Sequence, residues 1–307
     1  MSGKPVIGFI GLGLMGHGMA KNILKGGYEL WVKGRLNRKP VESLTAIGAR
    51  EAASPIDMAA RCDIIHLCLS NSRQVEGVLR GENGILAGAR RGLIVIDAST
   101  ADPSSTEQLS QELAARGAIM VDAPLGRTPK EAEEGKLDAM VGCDEAIFET
   151  VRPVIECWAA NITLIGPVSS GHKMKLLMNF IGLSYGALYS ETVALGAKIG
   201  ISPRTIRDVI APSRMGNGFF DTFMRYVVER DREAHKFTIA NAAKDLRYVS
   251  NLAGEAQVVS IMACAAKQYY AHVEAIGYAG DYVPMLSDHV AALNGLSMER
   301  IARTGER

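Results

Sequence analysis

The sequence predicts an α/β chain: an N-terminal, doubly wound parallel-sheet domain followed by an all-α domain with one long helix. Three observations carry that expectation. Short, wholly apolar runs alternate with helical patterns through the first half. A glycine-rich turn follows the first of these runs and opens a helix. Beyond residue 166 strand patterns almost vanish. The length of 307 residues suits two domains, since a domain usually holds about 100–200 residues. The boundary is placed at a turn cluster, giving units 1–165 and 166–307.

The strand candidates are Val6–Ile10, Leu30–Val32, Ile64–Leu69, Leu93–Ile96 and Ile119–Val121. Continuous apolar runs of this kind are buried on both faces of a parallel sheet. Helical patterns fill the intervals: Gly16–Lys25, Pro40–Ile47, Pro55–Arg61, Arg73–Leu79 and Pro103–Arg116. Asp102-Pro103 reads as an N-cap followed by proline at the first helical position. Leu137–Val141 and Ile162–Ile165 are expected as two further strands around a helix near Asp144–Cys157. After the turn cluster Gly166–Gly171, Lys173–Ile199 reads as one helix of about 27 residues. It is apolar nearly all round, so it should be covered by partners, and a homodimer or homotetramer is expected. Shorter helices follow, broken at Pro203, Pro212–Gly218 and Asp281–Pro284.

Composition excludes several classes. Lys+Arg number 34 against 33 Asp+Glu, a net charge of +1, too neutral for a protein that coats nucleic acid. With 48% hydrophobic and 22% charged residues the chain is too apolar for intrinsic disorder. No apolar run reaches the roughly 18 residues of a membrane span. The N-terminus lacks a secretion signal, so a cytoplasmic location is expected. Cys62, Cys68, Cys143, Cys157 and Cys264 are scattered, with no Cys-x-x-Cys spacing and no histidine at ligand spacing. They are read as reduced thiols, mostly buried, and no metal is expected.

The strongest local signal is Gly11-Leu12-Gly13-Leu14-Met15-Gly16, at a strand-to-helix turn. In that setting Gly-x-Gly-x-x-Gly is a dinucleotide-binding fingerprint. Gly11 permits the tight turn, Gly13 lets a pyrophosphate approach the backbone, and Gly16 lets the helix pack on the strand. The phosphates would sit at the helix N-terminus, where unpaired N–H groups favour negative charge. The acid that usually holds the ribose 2′-OH of NAD is missing from the end of the second strand. Four of the nine residues Trp31–Lys39 are cationic instead, and Arg35 and Arg38 suit a 2′-phosphate. NADP is therefore the expected cofactor, with NAD as the alternative; a solvated surface loop is the other reading of this stretch.

The opening run Gly11–Asn22 resembles the signature of the β-hydroxyacid dehydrogenases. Three blocks match that family in order: Asp97-Ala-Ser99-Thr100, Asp122-Ala-Pro124-Leu-Gly126-Arg127-Thr128, and Gly171-His-Lys-Met-Lys175-Leu-Leu-Met-Asn179. A fourth, Lys244-Asp245-Leu246, matches in the helical region. The resemblance covers essentially the whole chain and implies a Rossmann domain, an NAD(P) cofactor and a small semialdehyde or β-hydroxy acid as substrate. Lys175 matches the family's catalytic lysine. It stands in a run of Met, Leu and Phe, and an apolar setting lowers a lysine's pKa toward neutrality. Asn179 follows at i+4 and projects from the same helix face. The alternative for Lys175 is a lysine snorkelling at a helix edge.

Gly126, Arg127 and Thr128 are the expected substrate-side loop. Most relatives carry Ser-Gly-Gly there, whereas Gly-Arg-Thr resembles sulfolactaldehyde reductases, in which the loop binds a sulfonate. An outward Arg127 paired with Glu131 or Glu134 is the alternative. Met178 replaces one of two adjacent asparagines of the family, and Gly182 stands where those reductases often add a serine. The resemblance therefore leaves 3-hydroxyisobutyrate dehydrogenase and tartronate semialdehyde reductase as alternatives, beside a nucleotide-binding sensor without catalysis. Leu69, Ser70 and Asn71 are expected to pass the cofactor's ribose, and Thr100 to lie near the nicotinamide. Lys244 is expected to reach the cofactor or close the cleft, or else to form a surface ion pair. Phe237 is read as a core aromatic, with packing over the nicotinamide as the alternative.

Overall fold

The structure, a computed structural model, describes residues 3–304. The elements of the first half are β1 (Ile7–Ile10), α1 (Gly16–Lys25), β2 (Leu30–Lys33), α2 (Lys39–Thr45), β3 (Arg50–Glu51), α3 (Pro55–Arg61), β4 (Ile64–Leu67), α4 (Ser72–Arg80) and α5 (Ile85–Gly88). There follow β5 (Ile94–Asp97), α6 (Pro103–Ala114), β6 (Ile119–Asp122), β7 (Leu125–Gly126), α7 (Pro129–Glu134), β8 (Leu137–Gly142), α8 (Glu145–Ile155) and β9 (Ala159–Gly166). They form one sheet in the order β3-β2-β1-β4-β5-β6-β8-β7, with β9 also paired to β8. The stretch from β3 to β6 is parallel, the doubly wound order of a dinucleotide-binding fold. β8 runs antiparallel to β6 and β7 and parallel to β9.

The apolar runs are continuous because helices cover both sheet faces. Ile7, Ile64, Ile94 and Ile96 join one buried cluster with Met19 and Ile23 of α1. Ile10, Ile65, Leu67 and Val95 join another with Met58 of α3 and Leu113 of α6. Successive residues alternate between the two, as the period of a strand requires. Caps set several helix starts: Ser54, Asn71 and Asp102 each accept a backbone N–H of the turn that follows. β3, α5 and β7 were not among the expected elements. β3 is two exposed charged residues, recruited by parallel pairing to β2.

The second half is helical: α9 (Ser170–Ile199), α10 (Pro203–Ile210), α11 (Gly218–Glu229), α12 (Ile239–Glu255), α13 (Ile261–Ala275), α14 (Leu286–Leu293) and α15 (Met298–Thr304). α9 has 30 residues and begins earlier than the pattern suggested. Two compact units divide the chain, Met1–Lys175 and Leu176–Arg307. The division falls inside α9, not in the turn cluster before it, because the first turns of this helix are bonded into the sheet unit. Within the second unit Leu183 and Ala187 of α9 join Ile239, Leu246, Tyr270 and Leu286 in its core. Phe237 packs against that core, half-buried. The opposite face of α9 leaves Ile181, Leu188 and Leu195 more than half exposed. Among the described residues no helix is long and apolar enough to cross a membrane. Burial pushes the thiols of Cys62, Cys68 and Cys143 up to about 12, while Cys264 is exposed.

One core residue opposes its surroundings. His66 of β4 is fully buried, stacked on Phe9 and met edge-on by Trp158. Neither ring nitrogen has a hydrogen-bond partner among the described residues. Burial alone lowers its pKa from 6.5 to about 3. The unfolded ring binds a proton below its ordinary pKa while the folded one stays neutral, so stability is full above that pKa and declines as pH falls. Each pH unit below about 6.5 should cost about 1.4 kcal/mol. Urea unfolding of native protein and His66→Leu should therefore diverge by about 2 kcal/mol between about pH 6.5 and pH 5, with the variant less acid-sensitive. Parallel pH profiles would contradict the buried neutral ring.

Candidate active site

The turn after β1 is shaped by what its glycines exclude. Gly11 has φ +101, and a Cβ there would lie 2.2 Å from the Cys68 carbonyl oxygen. A Cβ on Gly16 would lie 1.9 Å from the Gly11 carbonyl oxygen. Gly13 differs: a Cβ there meets nothing within 4 Å. Its space is needed by nothing in the protein itself, which fits a pyrophosphate approaching the backbone. Leu12 is buried, Leu14 is 73% exposed, and Met15 occupies the N-cap of α1 without a capping side-chain bond. With no acid in its first turn, α1 presents the dipole end that anions favour.

The loops at the carboxyl ends of β4 and β5 meet beside this turn. The Leu69 N–H donates to Ser99 Oγ at 2.9 Å, and Ser70 N–H to Gln74 Oε1 at 3.2 Å. Asn71 caps α4 through the Gln74 N–H at 3.0 Å. Thr100 stands half-buried just after this junction.

Beyond β2, Arg38 gives both Nη groups to Glu51 of β3, at 2.8 and 2.6 Å. That guanidinium holds the Glu51 carboxyl below its usual range. Arg35 is exposed and has no ion-pair partner among the described residues.

Arg127 carries a backbone φ of +79, the left-handed region that favours glycine. Its Nε donates to Asp138 Oδ1 of β8 at 2.9 Å, and Asn161 of β9 donates to the same oxygen at 2.7 Å. Neither Glu131 nor Glu134 is its partner; the ion pair is with Asp138. The bond uses Nε and leaves the Nη edge outside it. Gly126 is buried in β7, and a Cβ there would press Asp138 at 3.2 Å. Thr128 is the N-cap of α7, its hydroxyl and N–H both given to Glu131. Thr128-Pro-Lys-Glu131 spells a capping box, a signal that identifies this role from sequence. α7 in turn packs on α1: Asn22 donates to the Ala132 carbonyl at 3.0 Å, and His17 and Lys21 pair with Glu133. Burial would raise the Glu133 carboxyl, but these two partners hold it below its ordinary value.

Lys175 is half-buried on α9, with Asn179 one turn on along the same helix. In the second unit Asn179 Nδ2 donates to Asp245 Oδ2 at 2.6 Å, and Lys244 Nζ lies 3.1 Å from Asp245 Oδ1. Asp245 is buried, and the Lys244 ammonium sits 5.6 Å from the centre of the Tyr248 ring. Lys244 is thus part of a largely buried pair, not a surface one. Sequence reasoning missed Glu51, Asp138 and Asp245, the carboxylates that hold its predicted cations and amide.

Comparisons with known proteins agree with this architecture. The family model described as the NAD binding domain of 6-phosphogluconate dehydrogenase matches residues 6–166. The model described as NAD-binding of NADP-dependent 3-hydroxyisobutyrate dehydrogenase matches residues 169–289. The chain is 32% identical to 2-(hydroxymethyl)glutarate dehydrogenase of Eubacterium barkeri, over 88% of this chain and 90% of that one. It is 28% identical to the chloroplastic glyoxylate/succinic semialdehyde reductase 2 of Arabidopsis thaliana, over 90% of this chain and 76% of that one. Among solved structures it resembles a 3-hydroxyisobutyrate dehydrogenase from Salmonella typhimurium, with TM-score 0.80, 26% identity, and 92% and 98% of the two chains covered.

The contrast between Gly13 and Gly16 is open to test. Gly13→Ala should fold with native thermal stability yet lose at least about tenfold in NADPH affinity, because its methyl occupies only ligand space. Gly16→Ala should instead destabilise the protein, since its methyl strikes backbone. Unchanged NADPH titration of Gly13→Ala would place the phosphates elsewhere.

Proposed function

The chain belongs to the NAD(P)-dependent β-hydroxyacid dehydrogenases of the 3-hydroxyisobutyrate dehydrogenase type, and within that family we propose that it reduces a small semialdehyde bearing an acid group, with NADPH as preferred hydride donor. The observation that carries this reading is Arg127. A non-glycine residue in the left-handed region costs about 1–2 kcal/mol, and the family resemblance implies glycine in this loop. Strain of this kind persists where a side chain has a task, and the task a guanidinium suits is an anionic substrate group. A sulfonate offers three acceptor oxygens and stays ionised, so 3-sulfolactaldehyde is the first substrate proposed. Methylmalonate semialdehyde, the oxidised form of 3-hydroxyisobutyrate, and tartronate semialdehyde are the alternatives.

When bound, the nicotinamide supplies the hydride that adds to the aldehyde carbon. Lys175 donates a proton to the carbonyl oxygen, yielding the alcohol and a neutral amine that water reprotonates. In the oxidative direction the neutral amine takes the hydroxyl proton. Asn179, its amide oriented by Asp245, donates a hydrogen bond on the same helix face. Arg127 turns its Nη edge to the acid group, while Gly126 keeps the loop close to β8. Arg35 and Arg38 favour the 2′-phosphate of NADP. Leu69, Ser70, Asn71 and Thr100 line the cofactor's path. The exposed face of α9 carries Ile181, Tyr185, Leu188, Leu195 and Ile199 at spacings of four, three, seven and four residues, with Thr192 in the gap. That is the seam another helix fits, so a second copy of this chain covers it in a homodimer or homotetramer.

Reduction of a panel of three- and four-carbon semialdehydes with NADPH and NADH tests the assignment. Lys175→Ala should lower kcat at least about 100-fold. Arg127→Gly should raise KM for a sulfonated or carboxylated aldehyde by about tenfold or more while relieving backbone strain. Arg35→Ala with Arg38→Ala should raise KM for NADPH and leave that for NADH nearly unchanged. Equal rates for native protein and Lys175→Ala, or an equal effect on both cofactors, would refute the corresponding role. A monomer by light scattering would refute assembly through α9.

A further inference from the structure

The start of α9 is held by a buried polar cluster that the reaction above does not use. Asp122, at the carboxyl end of β6, is fully buried. Its Oδ1 accepts the Ser169 N–H at 2.6 Å and its Oδ2 accepts the His172 N–H at 2.7 Å. One carboxylate thus satisfies two of the backbone donors that a helix start leaves orphaned. Two glycines make room for it: a Cβ on Gly142 would lie 2.3 Å from Oδ1, and one on Gly171 would lie 2.8 Å from Oδ2. Ser169 carries φ +78, a strained value for serine. Its hydroxyl donates to Glu107 Oε1 at 2.7 Å, and Lys173 Nζ reaches the same oxygen at 2.8 Å.

His172 is equally enclosed. Its Nε2 lies 3.1 Å from the Ser99 carbonyl oxygen and its Nδ1 2.8 Å from Thr106 Oγ1. A carbonyl only accepts, so Nε2 carries a proton, while the single Thr106 hydroxyl hydrogen stands between Nδ1 and the Asp102 carbonyl, 3.2 Å away. Two carboxylates flank the ring, with Asp97 Oδ2 3.9 Å from Nε2 and Asp122 Oδ2 4.0 Å from Nδ1. Asp97 Oδ1 accepts the Ser99 N–H at 2.9 Å, and Ser99 Oγ accepts the Leu69 N–H. The ring therefore joins the helix start to the loop ends of β4 and β5, which meet at the nucleotide turn.

We propose that Asp122 and His172 are positioning residues for Lys175: together they fix the first turn of α9 to the carboxyl ends of β5 and β6, and so set where the lysine ammonium sits. Lys175 follows His172 by three residues, one turn along the same face, so a tilt or rotation of that turn moves the ammonium directly. The inference rests on Lys175 being the proton donor. Misplacement of a reacting group by about 1 Å can cost about 100-fold in rate, whereas the hydrogen bonds of the Asp122 carboxylate and the His172 ring go to Ser169, Ser99, Thr106 and the backbone of α9 and not to Gly11–Gly16. The signature of positioning is therefore a fall in kcat at native affinity for NADPH.

Four variants test this: Asp122→Asn, His172→Leu, His172→Gln and Lys175→Ala. Each is measured for NADPH binding by fluorescence, steady-state kinetics and the pH profile of kcat. Asp122→Asn turns one acceptor into a donor facing an N–H, and His172→Leu removes both ring bonds. Each should lower kcat about 10–100-fold, keep the NADPH dissociation constant within about twofold, and move the pH profile of kcat. His172→Gln retains one donor and one acceptor and should recover most of the rate. Should Asp122→Asn fail to fold, the histidine pair decides. A folded His172→Leu protein with native kcat and native pH profile overturns the proposal. So does His172→Gln as impaired as His172→Leu. Lys175→Ala with native kcat instead overturns the reading of the lysine, a distinguishable failure.

Discussion

Two backbone N–H groups converging on one buried carboxylate tie the start of α9 to the sheet. Asp122 ends a strand whose register with β5 is fixed by parallel pairing, Asp97 facing Asp122. The sheet thus dictates the carboxylate's position, and the carboxylate dictates where α9 begins. Burial pushes the Asp122 carboxyl up, against the pull of His172 and of the two N–H groups. A carboxylate removed from water is tolerated only when such donors replace the water. The donors come from the helix it holds, so helix start and ionised acid stabilise each other. The compact units divide inside α9 for this reason: its first turns belong, energetically, to the sheet.

Strain gathers at the same place. Of the four non-glycine residues with positive φ, two are Arg127 and Ser169, one in the loop after β7 and the other just before α9. Each is bonded to a carboxylate, Asp138 for the arginine and Asp122 with Glu107 for the serine. Unfavourable backbone survives when its surroundings over-determine it, and charge-assisted hydrogen bonds are the strong ones available. In the turn after β1 the left-handed backbone is left to glycine, at Gly11.

The sequence made the scaffold readable and the pairings not. The strands of the parallel stretch from β2 to β6 are continuous apolar runs, with β3 the exception. Gly11, Gly13 and Gly16 announce the strand-to-helix turn, of which Gly11 and Gly16 are positions the backbone reserves for glycine, and the break after residue 166 marks the change to helices. β3 escaped because two exposed charged residues have no hydrophobic period; sheet pairing alone makes them a strand. At the site, residue types pointed to anion binding, but Glu51 lies 13 residues from Arg38 and Asp138 lies 11 from Arg127. Such distances close only through the fold. Thr128 is the opposite case, since its capping box is local and legible. His172 was legible as a residue of a family block but not as a structural joint. Its partners Thr106 and Ser99 are 66 and 73 residues away.

Carboxylates hold two of the arginines assigned to anions, and this is consistent with anion binding, not opposed to it. The pairs are half-exposed, where such an interaction is worth about 0–1 kcal/mol. An anion brought to either arginine would displace a partner of that strength at little cost. Meanwhile the pair keeps a long side chain ordered, and an arginine otherwise loses about 2 kcal/mol of rotamer entropy when fixed. The displaced carboxylate must also find a donor, or it repels the newcomer. Asp138 has one in Asn161, which already shares its Oδ1, and the charge of Lys33 acts on Glu51. In both places the arrangement lets a guanidinium leave its carboxylate without stranding it, and a site that must release as well as bind an anion requires that.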